Sequence, residues 1–479
     1  ASISQPAPSA SDASSAASSS SSSASSSSDS DASGSDSDED ELLESSKATS
    51  KTKGPSASAK KKATAAAAAS AQKNPSNNRK KKAPVKRTSA IAAAKKKKKR
   101  RMSKSSSALF PALASKTSPS AIASDLLKHF KSRPDQVQRD MINLLLRCSG
   151  LSSVQLNAQD DVEATDEFAG RFKTGGEYLE ALKEDIRVSG TYPMAGKSKT
   201  DKYIVKRCDK FWEKVVDACC SGAKPNINSE DGLIDSAIQW MSIFGNAKAY
   251  PFRHAASAAA MALATALIKR GKDLDVKLLA NNNKASGEIK GRKAKSKPAV
   301  ANAATLKSGA AIKKKLDATM ERLQLIWTDI FRGRYRDTNT VVRQLCMKAL
   351  LNWTKIYPEK FVATEYLKHV GWLLSDASKE VRRAAFAAAR EVFAATDKTL
   401  GKRCAAARQG FLGKFIPRIF EATSDVDPHV TIKALDILTF LYEKGFLEGL
   451  NGTGPDNNFL TDDRLNHVFT KIFDGSSRA

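Results

Sequence analysis

The 479 residues encode an all-α protein, a solenoid of helical repeats preceded by a long disordered N-terminal tail. Apolar residues beyond position 118 recur at spacings of three and four, the helical period, and few segments alternate with period two. A short pattern opening on Asp returns three times in the last third of the chain. The first 118 residues, by contrast, cannot bury enough apolar surface to offset the entropy of ordering them.

The tail divides by charge. Residues 1–46 hold 22 Ser and nine acidic residues without a single Lys or Arg, an acidic Ser-rich disordered segment. Ser33, Ser35 and Ser37 lie among Asp31, Asp36, Asp38, Glu39, Asp40 and Glu41, the setting an acid-directed kinase prefers. Each phosphate there would add about −1.5 to −2 charges. The block reads equally well as a solvating low-complexity tail. Residues 47–118 hold 22 Lys and Arg and no acid. Lys80-Lys81-Lys82 through Lys86-Arg87, then Lys95 to Arg101, form two clusters with the spacing of a nuclear localisation signal. The same tract can hold DNA phosphates without reading bases.

The net charge of +28 excludes an ordinary neutral cytosolic enzyme and points to a polyanionic partner. No run of 18 apolar residues appears, which excludes a spanning helix. Six cysteines without a CxxC pair indicate reduced thiols in a nuclear or cytosolic compartment. Opening on Ala1 rather than Met points to a processed or incomplete chain.

Residues 119–282 read as an N-terminal helical domain. Met141, Leu144, Leu145 and Cys148 form one stripe that Gly150 stops. Ile204, Cys208, Phe211, Val215 and Cys219 form a second, faced by Lys202, Lys206, Lys210 and Lys214 with Arg207 beside the row. Such a basic row can track a phosphate backbone or simply be a solvated face. From Phe252 to Lys269 an Ala-rich run permits close helix approach. Residues 283–315, with Gly287, Gly291, Pro298, ten basic residues and one acid, read as a basic flexible insert.

The repeats occupy residues 316–479. Asp337 is followed by Val342, Arg343, Cys346, Ala349 and Leu350. Asp376 is followed by Val381, Arg382, Ala385 and Ala389, and Asp425 by Val430, Thr431, Ala434 and Leu438. Units of roughly 40 residues with this order are what HEAT-type helix pairs show, each pair burying its apolar face on the next. Arg343 and Arg382 are expected to pair with acidic groups along the repeats.

A search for chemistry finds little. His129, His254, His369, His429 and His467 are scattered with no second ligand at metal spacing. Cys219-Cys220 sits on a core face. No Walker A loop, GxGxxG or GxSxG occurs. The expectation is no enzyme, no catalytic residue, no cofactor and no metal.

Leu144-Leu145-Leu146-Arg147-Cys148-Ser149-Gly150, Tyr192-Pro193-Met194-Ala195-Gly196, and Phe252-Arg253-His254 with Ala259-Ala260-Met261 resemble the N-terminal domain of stromalin, the stromal antigen subunit of cohesin. Asp329-Ile330-Phe331, Arg334-Tyr335-Arg336-Asp337, Tyr366-Leu367-Lys368-His369-Val370-Gly371-Trp372 and Glu380-Val381-Arg382 resemble the stromalin conservative domain. The resemblance runs in order from about residue 120 onward. It departs at 283–315, where the family has a charged helical connection, and at Ala479, which falls inside or just past the conservative domain.

What the resemblance implies is a scaffold subunit of cohesin in sister-chromatid cohesion, nuclear and chromatin-associated. It would bind the kleisin subunit, meet the coiled-coil ATPase subunits indirectly, and hold double-stranded DNA without sequence specificity. It also implies a site for aromatic-x-Phe peptides of regulators such as shugoshin or Wapl, at Tyr335, Arg336, Leu367, Lys368, Trp372, Phe415 and Arg418. Trp372 and Phe415 read equally as core, and Arg336 as a partner of Asp337. For DNA, Lys202, Lys206, Arg207 and Lys210 are the matching surface. The alternatives are a HEAT-repeat nuclear transport protein, whose basic cargo would need an acidic inner surface, and a chromatin adaptor whose basic tract does the work while the repeats only dimerise.

Overall fold

The computed structural model describes residues 109–160, 162–220, 232–292, 303–394, 400–448 and 461–472. The acidic tail 1–46, the localisation clusters and the rest of the basic tract to residue 108 lie outside the described residues. All regular structure among the described residues is helical. The N-terminal part contains α1 (Leu109–Ala114), α2 (Pro119–Ser132), α3 (Pro134–Cys148), α4 (Asp166–Gly170), α5 (Glu177–Ser189), α6 (Lys199–Cys220) and α7 (Leu233–Gly245). It is joined through the long α8 (Tyr250–Arg292) and α9 (Ala303–Leu325) to the repeats. These are α10 (Thr340–Ile356), α11 (Pro358–Phe361), α12 (Thr364–Leu373), α13 (Lys379–Ala394), α14 (Lys402–Glu421) and α15 (Pro428–Glu443), with α16 (Asp462–Ile472) last.

Local chemistry sets these boundaries. Ser118 caps α2, its Oγ accepting from the Ala121 amide at 3.2 Å while Pro119 pre-sets the first turn. The stripe Met141, Leu144, Leu145 and Cys148 is buried, and beyond it the chain turns at Gly150 with φ +96°. A Cβ there would stand 2.6 Å from Tyr192 Cβ, so both the backbone twist and the space require glycine. Ile204, Cys208, Phe211 and Val215 are buried along α6, and Cys219 and Cys220 are half-buried.

The core is organised around α8, which packs against α3, α6, α7, α9 and α10. From Phe252 to Ile268 it is apolar nearly all round, with Phe252, Ala256, Ser257, Ala260, Leu263, Ala264, Leu267 and Ile268 fully buried. The alanines let neighbours approach from several sides at once. In the repeats, α10, α13 and α15 stack in succession, while α12 packs on α14, giving the two layers of a HEAT-type solenoid.

Two boundaries differ from the sequence reading. Order begins before residue 119: Leu113 is fully buried, and Arg207 donates to the carbonyls of Leu113 and Thr117. The apolar Leu109-Phe110 and Leu113 cluster, too short to dominate a composition average, supplies a local core for α1. Helix also runs through much of the expected flexible insert, to Arg292 and again from Ala303, so residues 283–292 and 303–315 are helical. Asn281 Nδ2 donates to Thr305 O at 3.0 Å, tying the two helices together. Ala and Lys are strong helix formers, and their sum outweighs the local cost of Gly309.

A chain of buried ion pairs links the repeats. Arg253 holds Asp337 with two bonds, 2.8 Å from Nε and 3.0 Å from Nη2. Arg343 holds Asp376 with both bonds at 2.8 Å. Arg382 holds Asp425 at 2.8 and 2.7 Å. Each Asp also accepts from the amide two residues on, that of Asn339, Ser378 or Asp427. Each Arg sends its remaining Nη1 back to carbonyls six and five residues earlier: Ala247 and Lys248, Asp337 and Thr338, Asp376 and Ala377. The expected pairing of Arg343 and Arg382 is therefore present, and Arg253 adds an earlier rung. At the third repeat Thr431 replaces Arg and its hydroxyl donates to Asp425 O.

Removing one partner of a buried pair strands the other charge. Arg382→Ala leaves Asp425, whose side chain is 5% exposed, without its bidentate partner. The urea midpoint should fall by the equivalent of about 3–5 kcal/mol. Arg187→Ala, from an exposed pair with Glu184, should leave the urea midpoint almost unchanged.

Two histidines are buried as neutral rings. His254 accepts or donates at 2.8 Å with Tyr192 Oη, and burial lowers its pKa to about 4. His369 is lowered to about 4 by burial and by Lys368, Arg332 and Arg336. The unfolded chain binds these two protons near the ordinary histidine value of about 6.5, so stability is lost as pH falls from there towards about 4. Asp140, pushed up to about 6 by burial, acts in the opposite direction. Asp209, also pushed up to about 6 by burial, acts with Asp140, so His369→Phe should lower the slope of stability against pH between 6 and 5 by about 1 kcal/mol per pH unit in urea titrations.

Candidate functional site

The face built around Trp372 begins with an irregular turn. After α9 the helix widens into a π-turn, Ile326–Phe331, and a last turn, Arg332–Arg334, before the loop to α10. Single π-turns recur at functional sites. This one places Trp327 and Phe331 in a stacked pair with centroids 4.3 Å apart. Tyr335 continues the row, its ring 6.1 Å from Phe331. Trp372, at the C-terminal end of α12, lies nearly parallel to Tyr335 at 6.2 Å. A ladder of aromatic rings thus rises from the core to the surface, where Trp372 is 45% exposed.

Cations lie over both rings at the top of this ladder. Arg336 stands 5.2 Å over the Tyr335 ring, and Lys368 Nζ 5.8 Å over Trp372. Arg332, Arg336 and Lys368 are all exposed. Arg334 takes the pairing with Asp337 at 2.6 Å, so Arg336 stays outside the ladder. Burial pushes the Asp337 carboxyl up. Hydrogen bonds from Arg253 and the Asn339 amide, with the charges of Arg253 and Arg334, outweigh this and hold it below its ordinary range.

On the adjoining helix, Phe415 packs directly on Gly371. A Cβ at Gly371 would lie 2.2 Å from the Phe415 ring, so glycine is what admits this ring beside Trp372. Arg418, one turn further along α14, donates to Leu374 O at 3.3 and 3.2 Å and lies 3.9 Å from Asp425. It is tied to the end of α12 and to the last rung of the ladder.

Of the seven residues expected at a peptide site, Arg336, Lys368 and Trp372 are exposed around the buried Tyr335 ring, with Phe415 adjoining through Gly371. Leu367 belongs elsewhere: it is 2% exposed and part of the core, because it lies five residues, about 140° of helix, from Trp372. Arg418 is half-buried and engaged structurally. His369, scattered from the other histidines in sequence, joins this site. It lies beneath the face, its ring 4.4 Å from Tyr335 and 5.3 Å from Trp372.

The basic row on α6 has a different character. Lys202, Lys206 and Lys210 are exposed and have no acidic partner among the described residues, whereas Lys214 is paired with Asp217 at 2.7 Å. Four-residue spacing sets the three about 6 Å apart along the axis. Arg207 does not join them. Its guanidinium is directed at the Leu113 and Thr117 carbonyls and lies 5.1 Å over Tyr203, fastening α1 and the start of α2. Among the described residues no cluster of three or more His, Cys, Asp or Glu has the arrangement of a metal centre.

Comparison with known proteins gives this geometry a family. The STAG domain matches residues 190–307, and the stromalin conservative domain matches residues 336–415. The chain is 24% identical over 350 residues to cohesin subunit SA-1 of Xenopus laevis, covering 71% of this chain and 25% of that protein. It is 28% identical over 223 residues to cohesin subunit scc-3 of Caenorhabditis elegans, covering 46% and 19%. It therefore spans about a quarter or less of the length of these relatives. Among solved structures, cohesin subunit Scc3 of Z. rouxii is similar in fold, with a TM-score of 0.58 at 21% identity, covering 76% of this chain and 42% of that one. Both family segments are present in order, so the chain is similar to the stromalin family across residues 190–307 and 336–415.

Proposed function

We propose that this chain is the scaffold portion of a nuclear, chromatin-associated cohesin subunit that acts without catalysis in sister-chromatid cohesion. In this reading the solenoid carries the kleisin subunit and through it meets the coiled-coil ATPase subunits. The Trp372 face binds aromatic-x-Phe peptides, and the α6 row holds DNA through phosphates. The observation that carries the peptide reading is Trp372 itself. A large indole left 45% exposed over a buried aromatic stack, with Lys368 over its ring and Arg336 over the neighbouring Tyr335, is the composition of an interface hot spot rather than of a solvated surface. The cations favour an acidic sequence around the peptide's aromatic residues.

The DNA reading is supported by the unpaired Lys202, Lys206 and Lys210, which carry charge without a base-reading element and so favour nonspecific backbone contact. A transport or chromatin adaptor for basic cargo fits less well, since these exposed rows are themselves basic. Co-purification distinguishes the two: recovery of kleisin with the chain supports the cohesin scaffold, and recovery of basic import cargo without kleisin overturns it.

Trp372→Ala should abolish measurable binding of an aromatic-x-Phe peptide in calorimetric titration while leaving the unfolding midpoint nearly unchanged. Retained affinity would remove the peptide site from this face. Replacing Lys202, Lys206 and Lys210 together with Ala should lower the log–log salt slope of DNA binding by up to about 2.7, at about 0.9 per phosphate contact. An unchanged slope in fluorescence anisotropy would show that the row makes no phosphate contacts.

A further inference from the structure

His369 is 3% exposed, and neither Nδ1 nor Nε2 has a hydrogen-bond partner among the described residues. Buried polar atoms are nearly always paired, so an imidazole with both nitrogens unmet requires a physical explanation. Four rings enclose it: Tyr335 at 4.4 Å, Trp327 at 5.1 Å, Trp372 at 5.3 Å and Phe331 at 5.9 Å. Trp327, Phe331 and Tyr335 are at most 8% exposed and belong to the core. Trp372 is the exposed member of the four, at 45%. The imidazole and the proposed peptide face thus share the Trp372 ring.

The charged groups acting on His369 narrow the ligand. Lys368 on α12 and Arg332 and Arg336 on the turn before α10 are all cations, and together with burial they keep the ring neutral. A neutral imidazole offers one N–H donor and one acceptor lone pair. An aromatic enclosure is also the usual receptor for a quaternary ammonium, but three neighbouring cations oppose that ligand. A neutral aromatic group carrying a hydroxyl satisfies both the apolar walls and the unmet nitrogen.

We infer that His369 is a specificity-determining residue of the Trp372 face, where one imidazole nitrogen hydrogen-bonds the phenol hydroxyl of a peptide tyrosine once Trp372 moves off it. The inference rests on the peptide-binding reading and adds to it a preference for Tyr over Phe at the leading aromatic position. A site built to meet a hydroxyl discriminates against the analogue that lacks it, because its own polar group then stays unpaired.

The test titrates the full chain with two peptides that differ only in Tyr-x-Phe against Phe-x-Phe. The wild-type chain should bind the tyrosine peptide about five- to tenfold more tightly. His369→Phe, close in shape, should bring the two affinities together. His369→Gln, which keeps a donor and an acceptor, should retain a preference for tyrosine. Equal wild-type affinities overturn the inference and leave the peptide site standing. A preference unchanged in His369→Phe also overturns it, as does an equal loss of both peptides, which marks a merely structural residue. Failure of both peptides to bind the folded wild-type chain overturns the peptide site and this inference together. Thermal melts of both variants establish that each is folded.

Discussion

The bidentate Arg–Asp pair, repeated from one helix pair to the next, is the constraint on which the rest of this solenoid depends. Each Arg performs two tasks with one planar fork. Its Nε and Nη2 grip the carboxylate of the following repeat, and its Nη1 closes the carbonyls at the base of its own helix. The carboxylate in turn accepts the amide two residues on, which shapes the turn into the next helix. One residue therefore fixes a helix start and a repeat-to-repeat register together. Burial of such pairs does not guarantee net stability, since desolvation offsets much of the attraction. Their geometric demand is the stronger effect: a helix pair that slipped by one residue would strand both an Arg and an Asp inside.

The Trp372 face is a consequence of that register. Asp337, held by Arg253 and Arg334, stands two residues from Tyr335, so the rung fixes the turn that presents the ring. Arg418, on the far side, is tied to Leu374 O and lies near Asp425, which receives the Arg382 rung. The aromatic face is thus framed at both edges by ladder carboxylates. Between them, Gly371 allows Phe415 to close on α12, and the π-turn sets Trp327 and Phe331 beneath. The face needs few contacts of its own for its shape, which leaves Trp372 free to be exposed.

The ladder and the helical stripes were readable because they are periodic. Asp337, Asp376, Arg343 and Arg382 keep one spacing, and Ile204 to Val215 keep another. Arg253 escaped notice for a physical reason. It makes the same contacts as Arg343, but Ala247 occupies the place of the repeat's Asp, and its carboxylate partner lies 84 residues away across the α8–α9 hairpin. Arg207 was grouped with the lysines because a stripe pattern cannot reveal that α1 covers one end of the row. His369 looks isolated in sequence because three of its four enclosing rings come from residues 327, 331 and 335, beyond any local window. Leu367 was carried into the site by motif proximity, whereas helical rotation turns it to the core.

These corrections also redistribute the charge. Among the described helices the arginines are largely committed to structure. Arg322 donates to Asp235 at 2.7 Å, Arg408 to Val392 O at 2.9 Å, and Arg383 pairs with Asp427, beside the ladder residues themselves. A guanidinium suits this because it stays charged when buried and its fork satisfies two acceptors in one plane. The exposed positive charge is left mainly to lysine, as at Lys202, Lys206, Lys210 and Lys368. A strongly hydrated ammonium on a flexible stem is poorly suited to a fixed rung but well suited to a phosphate or an acidic peptide met from solvent. The division of labour between the two basic residue types thus separates what holds the solenoid in register from what it offers to partners. Total charge, counted over both, conceals that separation.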